Sequence, residues 1–185
     1  MPSAATVREA KNPEDLASVR ALLREYASHL NDSVGGEHIC LDNYEKELEA
    51  LPGVYAAPSG VLLLACVADE AAGCVALKPL QPLRAAAQHE AACEMKRLWV
   101  RPRFRGQALG LRLATALIER AISLGYTAMY LDTMPATMQA ASRMYQSLGF
   151  EAVERYYSGN PVLRPRPGCE AAASPEVVFF RRSLA

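Results

Sequence analysis

The chain has 185 residues, and its 20 Lys plus Arg balance its 20 Asp plus Glu, so the formal net charge is zero. This length lets a domain bury about 70% of its unfolded surface without disulfides. The balanced charge argues against a general binder of nucleic acid or membrane surfaces. No apolar run approaches the roughly 18 residues of a membrane span.

The five cysteines form no CxxC pair and lie in no His/Cys cluster. This pattern favours reduced, mostly buried thiols in a cytoplasmic protein, and no metal site is expected.

The N-terminal half begins with a short strand and two helices. Asn12 can cap the first helix, because its side chain can accept a hydrogen bond from the first turn, and Pro13 suits that turn. Apolar residues then recur at helical spacing, and a Pro-Gly pair ends the second helix. The next segments, rich in Val and Leu, predict three strands. The predicted strands are 6–10, 61–68, 73–78 and 93–100, with a turn at 70–73 joining the second to the third.

The C-terminal half alternates between helix and strand. A helix is predicted from about Gly110 to Ser123, and Gly125 stands where a left-handed cap is expected. Strands are predicted at 128–134, 151–157 and 176–184, and a short helix ends at Gly149. The buried stripe of the longer helix is predicted to be Leu111, Ala114, Leu117, Ile118 and Ala121.

This order of elements predicts a single α/β domain over residues 1–185. We expect a mixed, mostly antiparallel central sheet of about 6–7 strands with helices on both faces. The strand–helix–strand unit over 93–134 should form a right-handed parallel crossover.

A basic turn with small residues, Arg105-Gly106-Gln107-Ala108-Leu109-Gly110, precedes the longer helix. Small residues let a ligand approach the backbone, and the start of a helix attracts anions. The turn lacks the Gly-Lys-Ser/Thr of a Walker loop and the G-x-G-x-x-G of a dinucleotide fingerprint. It therefore predicts either a different phosphate site or a solvated basic cap.

This turn resembles the acetyl-coenzyme A loop of the GNAT superfamily of N-acetyltransferases. The family pattern Arg/Gln-x-x-Gly-x-Gly/Ala is matched by Arg105, Ala108 and Gly110, and "AASRMYQSLGF" is similar to the family's A-x-x-x-Y-x-x-x-G-F segment. Two departures are Ala108, where the family usually has Gly, and Met138, where many members have Asn.

The resemblance implies that acetyl-CoA is the co-substrate. Its pyrophosphate would lie on the backbone of the turn, and its pantetheine arm would pair with a strand that the family leaves splayed from its neighbour. A backbone N–H of that strand could donate to the oxyanion. The implied cofactor-binding residues are Leu98, Trp99, Val100, Arg105, Gly106, Gln107, Ala108, Leu109, Gly110 and Leu111.

The resemblance also implies two residues for the transfer itself. Tyr145 matches the family's general acid, although it could be an aromatic that only packs on the sheet. Glu94 is the best candidate for the base, and a plain salt bridge to Lys96 or Arg97 is an equal alternative. Strand alternation predicts that Glu94, Lys96, Leu98 and Val100 share one face. His89 and Glu90 are weaker candidates.

The resemblance implies that the acceptor is a primary amine of a small molecule or a protein, and that segments 29–38 and 155–168 bind it. Tyr156 and Tyr157 could wall that pocket, or one could belong to the core. A non-catalytic acyl-CoA sensor is the alternative function. A nucleic-acid binder using the basic residues between Lys96 and Arg105 is disfavoured by the zero net charge. The resemblance further implies a possible homodimer.

Overall fold

The computed structural model describes residues 5–33, 42–80, 90–134, 138–156 and 176–185. Its elements follow the order expected from the sequence, with strands and helices interleaved along the chain. The bounds are β1 Thr6–Glu9, α1 Pro13–Ser33, α2 Asp42–Glu49, β2 Val61–Val67, β3 Glu70–Leu80, β4 Ala92–Val100, α3 Leu109–Ser123, β5 Ala128–Thr133, α4 Gln139–Ser147, β6 Glu151–Val153 and β7 Val178–Ser183.

The strands form one seven-stranded sheet in the order β1-β2-β3-β4-β5-β7-β6. Among the described strands, β4 pairs with β5 in parallel, as the strand–helix–strand unit predicts, and the other pairings are antiparallel. The mixed, mostly antiparallel sheet expected from the sequence is confirmed.

Helices cover both faces of this sheet, which is also confirmed. On one face, α3 and α4 pack through Leu113, Leu117 and Tyr145 against β2–β5 and β7. On the other face, α1 and α2 pack on β2, β3 and the end of β4. Asn12 caps α1 as predicted, because its Oδ1 accepts a hydrogen bond of 2.7 Å from the backbone N–H of Asp15.

Two local predictions are wrong. The turn between β2 and β3 lies at Ala68 and Asp69, whose φ values are 49° and 66°. Positive φ at both central residues marks a tight two-residue hairpin, so the segment expected to turn belongs to β3 instead. Leu111 is 40% exposed, and the buried stripe of α3 begins with Leu109 and Leu113. At 3.6 residues per turn, Leu111 lies at the edge of this stripe rather than at its centre.

The expected single face for Glu94, Lys96, Leu98 and Val100 is also wrong. Trp99 pairs with Cys74 but Lys96 pairs with Ala76, so two residues of β4, Arg97 and Leu98, oppose one residue of β3. Arg97 has a φ of 62°, and this bulge reverses the alternation. Glu94 and Lys96 therefore face α1, whereas Leu98 and Val100 face α3.

Three of the cysteines, Cys66, Cys74 and Cys93, are free and buried, as expected. Every helix within the described ranges is too short or too polar to cross a bilayer. Several predicted features lie outside these ranges: His89, Tyr157 and most of both segments assigned to the acceptor site.

Candidate active site

The turn before α3 presents a run of unused backbone donors. Gly106 and Ala108 both have left-handed φ values, 78° and 56°, and this places the chain in a tight concave path. The first backbone bond of α3 runs from Arg112 to Ala108, and the N–H groups of residues 106–111 donate to no acceptor among the described residues. Consecutive N–H groups in such a path form an anion-binding nest, which the positive end of the helix dipole reinforces.

Most of the basic residues near this turn are already paired with carboxylates. Arg101 contacts Glu25 at 2.7 Å and Glu70 at 3.3 Å. Arg103 also pairs with Glu70. Arg97 is held by Glu47 at 2.6 Å. These arginines therefore tie structural elements together rather than forming a free positive surface.

Arg105 differs, since no carboxylate among the described residues contacts it. Its guanidinium carbon lies 4.8 Å from the centre of the Trp99 ring. Its Nε donates to the backbone oxygen of Val100 at 3.1 Å. Because its side chain is exposed and held beside the nest, Arg105 is suited to contact an anion there.

A cleft opens between β4 and β5 where the two strands separate. Their pairing covers Ala92–Glu94 of β4 and stops there, although β4 continues to Val100. The resulting space measures about 670 Å³, part of it open solvent. It is lined by Tyr26, Leu30, Met95, Lys96, Arg97, Leu98, Asp132, Thr133, Met134, Met138 and Tyr145. The splayed strand implied by the resemblance is present.

Tyr145 lies on the wall of this cleft, in the last turn of α4. Its ring packs against Phe150 at 5.8 Å and Phe180 at 6.5 Å between centroids. Burial raises the pKa of the hydroxyl, with smaller contributions from Tyr26 and Asp132. The side chain is 7% exposed, and its hydroxyl has no hydrogen-bond partner among the described residues. A protonated donor thus stands in the cleft.

Glu94 occupies a different environment. Its side chain is 2% exposed and does not line the cleft. Its carboxylate contacts Lys78 at 3.1 Å and Lys96 at 3.3 Å, and it accepts a hydrogen bond of 2.8 Å from Tyr156. The salt bridge to Lys96 allowed by the sequence is therefore present. Tyr156, 2% exposed, is part of the core.

The structure brings only part of the predicted set together. Leu98 and Tyr145 line the cleft, while the side chain of Trp99 turns away to contact Tyr26 and His29 of α1. Glu90, a weaker candidate, pairs with Arg181. Gly106, Gln107 and Ala108 are exposed, and Leu109 is buried beneath the turn.

Sequence reasoning missed Asp132 as a cleft residue. The carboxylate lies at the end of β5, where β5 leaves β4, and its Oδ1 accepts a hydrogen bond of 2.7 Å from Lys96 Nζ. The available signal was a lone acidic residue at the carboxyl end of a parallel strand, a frequent place for ligands in α/β sheets.

Comparisons with known proteins identify the family of the chain. The model of the acetyltransferase (GNAT) family matches residues 19–150. The chain belongs to this family. An uncharacterized N-acetyltransferase of Schizosaccharomyces pombe is 34% identical over 186 residues, covering 99% of this chain and 97% of the relative. The uncharacterized N-acetyltransferase YjgM of Escherichia coli is 34% identical over 62 residues, covering 34% of this chain and 36% of YjgM.

Solved structures with the GNAT fold also resemble the chain. A GNAT-family acetyltransferase from Staphylococcus aureus Mu50 has a TM-score of 0.70 and 18% identity, covering 98% of this chain and 100% of its own. An acetyltransferase from Salmonella typhimurium, solved with its cofactor acetyl-CoA, has a TM-score of 0.65 and 19% identity, covering 99% of this chain and 95% of its own. At these identities the likeness concerns the fold.

Proposed function

We propose that this protein is an acetyl-CoA-dependent N-acetyltransferase acting on a primary amine of a small molecule or a protein. One observation carries the proposal: β4 separates from β5 beside a cleft with a buried tyrosine on its wall, and the turn that follows the end of β4 carries unused backbone N–H groups. The acetyl-CoA bound by the Salmonella typhimurium neighbour supports the choice of co-substrate.

The residues present fit a CoA ester. The free N–H groups of residues 106–111 and the guanidinium of Arg105 would hold the pyrophosphate. The edge of β4 that has separated from β5 would pair with the pantetheine arm, as an added strand does. When bound, the ester supplies an activated acetyl group as a thioester.

The chain's own groups would then serve the transfer in two ways. A backbone N–H of Leu98–Val100 would donate to the oxygen that becomes negatively charged. Tyr145 would protonate the leaving thiolate, since burial raises the pKa of its hydroxyl and so keeps the proton in place until the thiolate forms. Glu94 remains a predicted base, and its observed contacts favour an indirect effect through Lys96.

Thermal melting with ligands tests the proposal directly. Acetyl-CoA or CoA at 100 times its dissociation constant should stabilise the protein by about 2.7 kcal/mol, which raises the melting temperature by about 5–11 °C for a chain of this size. ATP and NADH serve as controls. Failure of every CoA ester to raise the melting temperature at millimolar concentration would refute the proposal.

Tyr145→Phe tests the chemical role. The substitution keeps the ring contacts with Phe150 and Phe180 but removes the hydroxyl. We expect kcat to fall by about 10²–10⁴, with little change in the melting shift caused by acetyl-CoA. The matched control is Tyr126→Phe, whose hydroxyl donates to the backbone oxygen of Ser59 and which does not line the cleft.

An unchanged kcat in Tyr145→Phe would show that Tyr145 is not the acid. Binding of acetyl-CoA by the native protein without transfer to any amine of a broad panel would favour the acyl-CoA sensor instead.

A further inference from the structure

Lys96 places an ammonium group inside the cleft proposed for acetyl transfer. Its Nζ lies 2.7 Å from Oδ1 of Asp132 and 3.3 Å from Oε1 of Glu94. Both Lys96 and Asp132 line the cleft, whereas Glu94 does not. Lys96 therefore bridges the two strands that separate, from β4 to the end of β5, at the level of Tyr145.

Lys96 and Asp132 belong to a group of charged side chains on one face of the sheet. Lys78, Glu94, Lys96 and Asp132 form a chain of contacts with zero net charge. Within the described residues, the other titratable or charged groups on this face include Tyr26 and His29 of α1, Glu47 of α2, Cys74 of β3 and Arg97 of β4. They also include Tyr130 of β5, Arg181 of β7 with its partner Glu90, and Tyr156 after β6, and Tyr145 of α4 approaches the pair across the cleft.

An acceptor amine that enters this cleft meets Asp132 as the carboxylate that lines it within the described residues. That carboxylate already holds a primary ammonium, the one at the end of Lys96. We infer that Lys96 is an internal occupant of the acceptor-amine site on Asp132, and that a cationic primary alkylamine displaces it during turnover. This inference rests on the acetyltransferase function proposed above.

A displaced Lys96 keeps a carboxylate partner, Glu94, which is its second resting place, so its positive charge stays paired. Glu94 is within 3.3 Å, and Lys78 and Tyr156 hold Glu94 in position. Burial opposes the charge on Lys96, but Asp132 and Glu94 outweigh it and raise the pKa. Lys96 thus stays an ammonium and is a poor nucleophile, which keeps it from accepting the acetyl group itself.

The displaced arrangement also prepares the acceptor. Its ammonium would transfer one proton to Asp132, and the positive charge of Lys96 beside it favours that loss. The neutral nitrogen then forms the C–N bond as the C–S bond breaks. The thiolate takes a proton from Tyr145, the phenolate recovers the second proton from the new amide nitrogen, and Asp132 releases its proton to water. Lys96 and Asp132 are positioning and proton-accepting groups in this sequence.

The kinetic test compares Lys96→Met with wild type, using propylamine, 1,4-diaminobutane and an alanyl tripeptide as acceptors at saturating acetyl-CoA. If Lys96 leaves Asp132 free in a tenth of molecules or fewer, the apparent affinity for the amine is lowered about tenfold or more. We expect Lys96→Met to lower KM by about that factor. We also expect the acidic limb of kcat/KM to move to higher pH, because the acceptor ammonium loses a neighbouring positive charge.

A charge control is Lys11→Met, which removes one positive charge from a surface pair with Glu9 outside the cleft and outside this cluster. It should leave KM unchanged. Glu94→Gln removes the second resting place of Lys96, so it should raise KM, whereas a direct base role for Glu94 predicts a lower kcat at unchanged KM.

A binding test does not depend on finding a productive acceptor. Lys96→Ala removes the part of the side chain that propylammonium can replace. Propylammonium chloride should raise the melting temperature of this variant more than it raises that of wild type, and propanol should not. The added effect should disappear in the Lys96→Ala, Asp132→Asn double variant.

The results separate the two proposals. If acetyl-CoA stabilises the protein and wild type acetylates amines, but Lys96→Met leaves KM unchanged or higher, the inference is wrong and the proposed function stands. Absence of selective rescue by propylammonium would also overturn it. Absence of any CoA effect, with rescue intact, would instead remove the proposed function.

Discussion

Replacing Glu47 with Gln tests the ion pair that fastens α2 to the bulge in β4. Glu47 receives two hydrogen bonds from Arg97, at 2.9 Å from Nε and 2.6 Å from Nη2, and a third from Tyr55 at 2.6 Å. The Arg97 guanidinium also lies 4.6 Å from the centre of the Tyr44 ring. Because Arg97 is the left-handed residue of the bulge, this pair holds the segment that redirects β4 along the cleft.

The expected cost follows from burial. The side chain of Arg97 is 8% exposed and that of Glu47 is 24% exposed. Breaking a fully buried pair costs about 3–5 kcal/mol. Partial exposure lowers that figure, and Gln still accepts one hydrogen bond, so we expect about 2–3 kcal/mol. For a chain of this length, the melting temperature should fall by about 4–12 °C.

Urea unfolding measures the loss, and its pH dependence identifies the cause. Burial raises the pKa of Glu47, but the hydrogen bond and charge of Arg97 outweigh it, so the pKa lies below the ordinary 4.5. A lowered folded-state pKa contributes stability above the unfolded value, and that stability is lost as pH falls through the folded value. The difference between wild type and Glu47→Gln should therefore be full near neutral pH and shrink below 4.5.

The matched control is Glu45→Gln on the same helix. Glu45 pairs with Arg24 at 3.2 Å, and both side chains are about half exposed, at 48% and 54%. Such surface pairs contribute about 0–1 kcal/mol. Equal losses in the two variants, or a Glu47→Gln loss that does not change with pH, would refute the role assigned to the buried pair.

Two further predictions concern the backbone around the site. Ala108→Gly should raise the free energy of unfolding by about 0.5–1 kcal/mol. The left-handed conformation costs Ala about 1–2 kcal/mol, and Gly relieves this strain but loses more backbone entropy on folding. Urea unfolding measures the difference, and a loss of stability would contradict the prediction. Gly73→Ala should destabilise by about 1–3 kcal/mol, because its Cβ would lie 2.6 Å from the backbone oxygen of Trp99. Gly110→Ala is its control in the same unfolding assay, since the nearest atom to that Cβ is Met144 Sδ at 3.7 Å, and equal losses would contradict the steric explanation.

Much of the fold could be predicted because local signals agree with the final structure. Asn12 with Pro13 starts α1, and Gly125, with a φ of 84°, follows α3 where a left-handed residue was expected. The hairpin turn was misplaced because Ala68 and Asp69 are unusual residues for two consecutive positive φ values. Gly73, at the end of segment 70–73, was the sequence signal for a turn, and strand pairing overrode it.

The residues of β4 that line the cleft could not be predicted from the alternation of side chains along a strand. A period of two is valid only while the strand is regular, and the bulge at Arg97 shifts every later residue of β4 to the other face. Glu94 and Leu98 therefore lie on opposite faces of the sheet. Asp132, rather than Glu94, is the carboxylate that lines the cleft within the described residues. A bulge carried by Arg has no compositional signal, because its positive φ is sustained by tertiary contacts with Glu47 and Tyr44.

The same contacts explain how a stretch rich in arginine can serve one small anion site. Carboxylates from α1, α2 and β3 hold Arg101, Arg97 and Arg103, so their charges are balanced where they lie. The remaining attraction for an anion is local: a nest of N–H groups, the start of α3, and Arg105 resting on Trp99. If the proposed function holds, such an arrangement would discriminate by the position of the phosphates rather than by long-range charge. This favours a ligand whose pyrophosphate is anchored at the turn while its other end reaches Tyr145, as the proposed CoA ester does.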